Sequence, residues 1–157
     1  MAARAKKTSS PPLSLKSLRF DLERPPPGFY RADIEFYGVD HSGASLEARV
    51  FIDNADANAS TALEAGQGYV DSFYIFGHGG CFGDVGHCDV PVRDDPFDLR
   101  SPHQLTPAAR TVTVTNAIKR LLDAGTKETT VTVVAHTAED APDNVLGFDK
   151  IRLATYA

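Results

Sequence analysis

Apolar and polar residues alternate along several short segments of the chain. In residues 30–36 the odd-numbered positions are charged and the even-numbered positions are apolar. This period of two predicts a strand with one buried face and one face in water, as in an antiparallel sheet. The same alternation runs through residues 46–52. A shorter version in residues 18–23 predicts a strand at the edge of a sheet.

The segment from Tyr69 to Phe76 differs from these, because it is apolar on nearly both sides. Such a pattern is typical of a central strand that is covered on both faces, and we predict a central strand here. Three further segments with strand-like patterns lie at 110–115, 129–135 and 148–155.

One short helix is expected between the last strands. Asn116 is a favourable N-cap, the apolar residues of 117–123 form one stripe, and Gly125 suits the left-handed position that ends a helix. About seven short strands separated by turns, without βαβ spacing, predict an all-β fold: an antiparallel β-sandwich with one short helix and a long Gly/Pro-rich loop. We expect a disordered basic tail over residues 1–12 and a single β-sandwich domain over 13–157.

Length and charge narrow the choice of partners. The chain has 157 residues and a formal net charge of −5, and its length suits one domain. An acidic balance without basic clusters argues against nucleic acid or an anionic membrane as partner. No apolar run approaches the ~18 residues of a membrane span. No apolar stretch follows the basic residues near Met1, so the expected location is the cytoplasm.

The loop over residues 77–107 contains the most distinctive chemistry of the sequence. Its first part, GHGGCFGDVGHCDVP (77–91), places His78, Cys81, His87 and Cys88 close together. Thiolate and imidazole are preferred ligands of Cu(I) and Zn(II), so these four residues are the candidate metal site. The spacing matches no standard zinc pattern. The two cysteines could equally form a disulfide or act as small buried hydrophobic residues.

The order of several segments resembles a known family. The segments are 49–54 (RVFIDN), 72–77 (SFYIFG), 111–122 (TVTVTNAIKRLL), 130–134 (TVTVV) and 148–153 (FDKIRL). This order is similar to the β-sandwich C-terminal domain that follows the copper domain in tyrosinases, plant polyphenol oxidases and molluscan haemocyanins, the type-3 copper proteins. The resemblance covers roughly residues 28–155.

The resemblance implies a role without catalysis. The catalytic part of that family binds two copper ions through six histidines on helices, whereas this sequence has five histidines. We therefore expect no catalytic residues and no enzyme activity, but a non-catalytic accessory domain that docks on a tyrosinase-like copper-domain partner. Relatives place a blocking side chain over the copper site, and Phe82 is our candidate for partner contact. The alternative is a copper-binding or copper-delivery protein that uses the four His and Cys residues of the loop.

Overall fold

Seven strands and one α-helix form the regular structure of the computed structural model, which describes residues 14–22, 28–41, 43–77, 107–137 and 146–157. In chain order the elements are β1 (Ser14–Asp21), β2 (Arg31–Val39), β3 (Leu46–Ile52), a 3₁₀ turn (Ala65–Gln67), β4 (Tyr69–Ile75), β5 (Ala108–Thr113), α1 (Thr115–Asp123), β6 (Glu128–Thr137) and β7 (Lys150–Tyr156). The predicted tail (1–12) and most of the predicted long loop (78–106) lie outside the described residues.

The described strands pair into two antiparallel sheets. One sheet has four strands in the order β1-β6-β3-β4, and the other has three in the order β5-β2-β7. The inner faces of both sheets contribute to one hydrophobic core. The prediction of an antiparallel β-sandwich with about seven strands and one short helix is therefore confirmed.

Alternating positions of the strands build this core. Ile34 and Phe36 on β2 and Ala48 and Val50 on β3 belong to this core, and all four are fully buried. Phe36 also joins the two sheets, because its ring centroid lies 4.9 Å from that of Phe73 on β4. Removing each large apolar side chain from water contributes about 1.5–3 kcal/mol to folding. The period of two in the sequence thus corresponds to the packing of the two layers.

Strand β4 occupies an edge, so the prediction of a central strand covered on both faces is wrong. In the described part of the four-stranded sheet, β4 pairs with β3 alone. Phe73 and Ile75 point into the core, but Tyr74 is 69% exposed. The sequence pattern was misleading because tyrosine has an apolar ring and a polar tip, so Tyr74 counts as apolar in the pattern although it lies on a face in water. The Tyr74 hydroxyl donates a hydrogen bond to Glu47 over 3.4 Å, which suits a face in water.

Helix α1 begins two residues earlier than predicted and ends as predicted. The pairing of β5 with β2 continues to Val114, whose N–H donates to the Ala32 carbonyl at 2.8 Å, and the helix follows directly. Val114 is therefore the N-cap and Asn116 lies in the first turn. Gly125 has φ +75°, and its N–H donates to the Leu122 carbonyl at 2.9 Å. No helix among the described residues is long and apolar enough to cross a membrane.

The sandwich has two distinct ends. At the first, which we call the Gly77 end, Gly77 lies beside the turn between β2 and β3, and the N–H of Asp40 donates to the Gly147 carbonyl at 2.9 Å. At the second, the helix end, α1 lies beside the end of β3 and the 3₁₀ turn. The two ends carry different candidate functional features.

Candidate functional site

The sequence-predicted site residues lie outside the described part of the chain. They are His78, Cys81, Phe82, His87 and Cys88. The metal site and the partner contact therefore stay predictions. Among the residues that the structure does describe, no group of three or more His, Cys, Asp or Glu side chains could hold a metal ion.

The structure does describe where the segment 78–106 is attached. Before it, the N–H of Gly77 donates to Ser45 Oγ at 3.0 Å. Gly77 also packs so closely on the Ala44 backbone that a Cβ atom would overlap it, which explains glycine at this position. After the segment, Ala108 opens β5 opposite Val39 of β2. Both attachment points therefore lie at the Gly77 end, on the framework of the sandwich.

The outer face of the three-stranded sheet carries a network centred on Glu35. The Glu35 carboxylate accepts hydrogen bonds from Arg152 Nε, from the Tyr37 hydroxyl and from the Tyr156 hydroxyl, the last at 2.8 Å. The hydrogen bond from Arg152, followed by that from Tyr37, lowers the pKa of Glu35 from 4.5 to about 2. Beside it, Arg31 Nε lies 2.8 Å from an Asp33 carboxylate oxygen. We call these six residues the Glu35 network.

The prediction that the charged face of β2 is exposed to water is wrong at Asp33 and Glu35. Asp33 is only 1% exposed and Glu35 only 9%. Long side chains of the same face cover them: the Arg31 guanidinium lies 5.8 Å from the ring centre of Tyr156, and that of Arg152 lies 5.6 Å from the ring centre of Tyr37. Arginine and tyrosine can cover a surface in this way while their polar ends reach water.

The outer face of the four-stranded sheet has a similar arrangement around Glu47. Arg49 pairs with the Glu47 carboxylate at 2.8 Å, and Ser72 Oγ donates to it at 2.9 Å. Although burial opposes ionisation, the hydrogen bonds from Arg49 and Ser72 hold the pKa of Glu47 below its usual value. In both networks the carboxylate is held ionised by partners of its own chain, which favours a structural role for both faces.

Sequence reasoning missed both networks. Part of the signal for the Glu35 network was present, because Lys150 and Arg152 alternate with apolar residues at 151 and 153, just as the charged residues of β2 alternate with apolar ones. Two polar strand faces of opposite charge favour cross-strand pairing. The register of β2 with β7 places Arg152 directly opposite Glu35.

No protein-family model matches the chain, and no curated protein matches it. Among solved structures, recombinantly expressed latent aurone synthase, a polyphenol oxidase, matches 92% of this chain with 26% of its own, at 12% sequence identity and a TM-score of 0.53. Latent aurone synthase from natural source matches 99% of this chain with 28% of its own, at 12% identity and a TM-score of 0.51.

These comparisons concern the fold. At 12% identity they show that the β-sandwich of this chain has a counterpart within polyphenol oxidase structures. The chain spans about a quarter of the length of the oxidases it matches. The predicted resemblance to the polyphenol oxidase fold is thus supported at the level of fold, and the finer assignment to a C-terminal domain belongs to the proposal below.

Proposed function

We propose that this chain is a non-catalytic accessory domain that docks on a type-3 copper domain, as the C-terminal shielding domain of tyrosinase-like oxidases would. The observation that carries the proposal is the partial match. Some 92% of this chain matches only 26% of a latent polyphenol oxidase, at a TM-score of 0.53. The match is thus confined to about a quarter of that enzyme, and in this proposal a partner supplies the copper centre.

The histidine content supports the proposal that a partner, and not this chain, supplies the ligands of the copper pair. A type-3 copper pair is expected to need six histidine ligands, and the whole sequence has five. Of these, His41 and His136 are described; His41 lies in the turn after β2, and His136 lies near the end of β6. Their positions on a β-sandwich differ from a helical copper site, which favours a partner role.

The Gly77 end is the surface that we assign to docking. The polar groups of the Glu35 and Glu47 networks already pair within the chain, so the two sheet faces need no partner to satisfy them. The segment 78–106, by contrast, begins and ends on a fixed base at Gly77 and Ala108. Loops on rigid scaffolds are frequent binding elements. In this proposal the segment contacts the partner and Phe82 enters the mouth of the copper site.

The test uses a polyphenol oxidase copper domain from which its own β-sandwich has been removed. The full chain should bind this domain in a pull-down and lower its rate of o-diphenol oxidation. Phe82→Ala should weaken binding at least tenfold, as expected of a buried aromatic anchor. The matched control is Tyr30→Ala at the helix end, where the tyrosine is 68% exposed, and it should leave binding within about twofold. No binding and no effect on oxidation would contradict the proposal.

A second candidate function is copper binding. Its support is the presence of two cysteines and two histidines within residues 78–88, a ligand set that suits Cu(I). Copper capture and docking use the same segment. Replacement of Cys81 and Cys88 separates the two functions. Docking alone should not require these cysteines, whereas copper binding should.

A further inference from the structure

The helix end contains a cleft of about 260 Å³ between α1 and the loops that flank the 3₁₀ turn. Its apolar floor includes Ile52 and Leu121, and its polar lining includes Asp53, Gln67 and Arg120. This volume lies just below the ~300–1,000 Å³ typical of sites for drug-sized molecules. The cleft therefore suits a small metabolite.

The loop wall of the cleft is fixed before any ligand arrives. The N–H of Ile52 donates to the Gly68 carbonyl at 2.8 Å, and Asn54 Nδ2 donates to the Gln67 carbonyl at 2.7 Å. Gly68 has φ +80° and lies so close to the Ile52 carbonyl oxygen that no larger residue fits. A site that is already ordered loses less entropy when it binds a ligand.

Two opposite charges line this cleft without neutralising each other. Neither the Asp53 carboxylate nor the Arg120 guanidinium takes part in an ion pair within the described ranges of the chain. Asp53 also has φ +58°, the one positive φ of a non-glycine residue among the described residues. Aspartate is one of the few non-glycine residues that adopt this conformation readily, so the backbone of this turn is compatible with a carboxylate in the cleft lining.

We propose that the cleft binds a zwitterion of amino-acid size with an apolar side chain. The ligand's carboxylate pairs with Arg120, because guanidinium recognises carboxylates through paired hydrogen bonds. Its ammonium group pairs with Asp53, and its side chain lies on Ile52 and Leu121. This inference does not depend on the proposed docking function, since the cleft and the Gly77 end lie at opposite ends of the sandwich.

The test is an NMR titration of the ¹⁵N-labelled chain with L-leucine. We expect saturable shifts of the amides at 52–54, 66–68 and 117–121, with a dissociation constant at or below about 1 mM. Two analogues separate the charges: 4-methylpentanoate has no ammonium group, and 3-methylbutylamine has no carboxylate. Each should bind at least tenfold more weakly than L-leucine.

Charge-neutral variants locate the two contacts. Arg120→Gln and Asp53→Asn should each weaken L-leucine binding at least tenfold, and asparagine also tolerates the left-handed backbone at position 53. Lys119→Gln and Asp123→Asn are matched controls on exposed positions of α1 outside the cleft, and they should bind as the parent does. The absence of a saturable shift at L-leucine concentrations up to 20 times the expected dissociation constant would overturn the proposal. The proposal would also be overturned if either analogue bound as tightly as L-leucine, or if the control variants lost as much affinity for L-leucine as Arg120→Gln and Asp53→Asn.

Discussion

At the scale of the residue, Glu35 couples the stability of the fold to pH through its ionised carboxylate. It is 9% exposed and accepts three side-chain hydrogen bonds, from Arg152, Tyr37 and Tyr156. Because the folded-state pKa is about 2, below the ordinary 4.5, ionised Glu35 stabilises the fold fully above pH 4.5. That stabilisation is lost as the pH falls from 4.5 towards 2.

Replacing Glu35 by glutamine should therefore remove part of the acid sensitivity of the protein. At pH 7 we expect Glu35→Gln to lower the free energy of unfolding by about 1–3 kcal/mol, because charge-assisted hydrogen bonds are lost. Below pH 3 the difference from the parent should shrink. Urea denaturation at several pH values measures both effects, and Glu64→Gln, at an exposed position, is the control. A pH-independent difference would contradict the assignment.

Cysteine chemistry in the segment 78–106 gives the second prediction at this scale. If the four His and Cys residues bind copper, anaerobic competition against a Cu(I) chelator should show one tight site in the full chain. The double variant Cys81→Ser/Cys88→Ser should lose that affinity by at least tenfold, since thiolates are the stronger Cu(I) ligands. Unchanged affinity in the double variant would refute the copper-binding alternative.

At the scale of the element, close backbone approach constrains the loop between β3 and β4. Gly68 has φ +80°, and a Cβ atom there would overlap the Ile52 carbonyl oxygen. Gly66, two residues earlier on the same turn, has open space around it. The two glycines therefore differ in their structural requirement, although the sequence pattern around them does not distinguish one from the other.

Alanine at these two positions should separate the two effects. Gly68→Ala should lower the free energy of unfolding by about 1–3 kcal/mol, because of the left-handed φ and the steric overlap. Gly66→Ala should change it little, or raise it by up to about 1 kcal/mol by restricting the unfolded chain. Thermal and urea unfolding of both variants provide the comparison. A similar loss in both would contradict the backbone argument.

The sequence predicted elements well where burial alternates locally. Period-two patterns located β2 and β3, because side chains on successive residues point to opposite sides of a sheet. The position of β4 was missed, since Tyr74 reads as apolar although its hydroxyl contacts Glu47. The buried carboxylate of Glu35 was missed because its covering partner, Arg152, lies far away along the chain. The presence of Asp53 and Arg120 in one cleft likewise has no local signal in the sequence, because the two residues lie far apart along the chain.

At the scale of the whole molecule, aromatic packing around Phe36 joins the two layers of the described sandwich. Phe36 on β2 is fully buried and lies 4.9 Å from Phe73 and 5.4 Å from Phe148, measured between ring centroids. These rings connect the three-stranded sheet, the four-stranded sheet and the segment before β7. The stability of the sandwich should therefore depend strongly on this residue.

Truncation of Phe36 measures that dependence. Phe36→Ala should lower the free energy of unfolding by about 3–5 kcal/mol, because it removes buried surface and leaves a cavity. Tyr30→Ala, at a position 68% exposed, should change it by less than about 0.5 kcal/mol. Urea denaturation followed by circular dichroism gives both values. Comparable losses would contradict the assignment of Phe36 to the core between the sheets.

The two ends of the sandwich give the molecule its proposed division of roles. The Gly77 end holds the attachment points of the segment 78–106, and the helix end holds the cleft between α1 and the 3₁₀ turn. The two sheet faces between them carry paired charges. A partner that docks through one end would leave the other end accessible to a small ligand.

The most direct test of the docking account is an NMR titration of the ¹⁵N-labelled chain with a copper domain lacking its own β-sandwich. The account predicts that the largest shifts occur at the Gly77 end, at amides such as those of Ala44, Gly77 and Thr137. An unchanged spectrum, or shifts confined to Gly68 and Arg120 at the helix end, would contradict it.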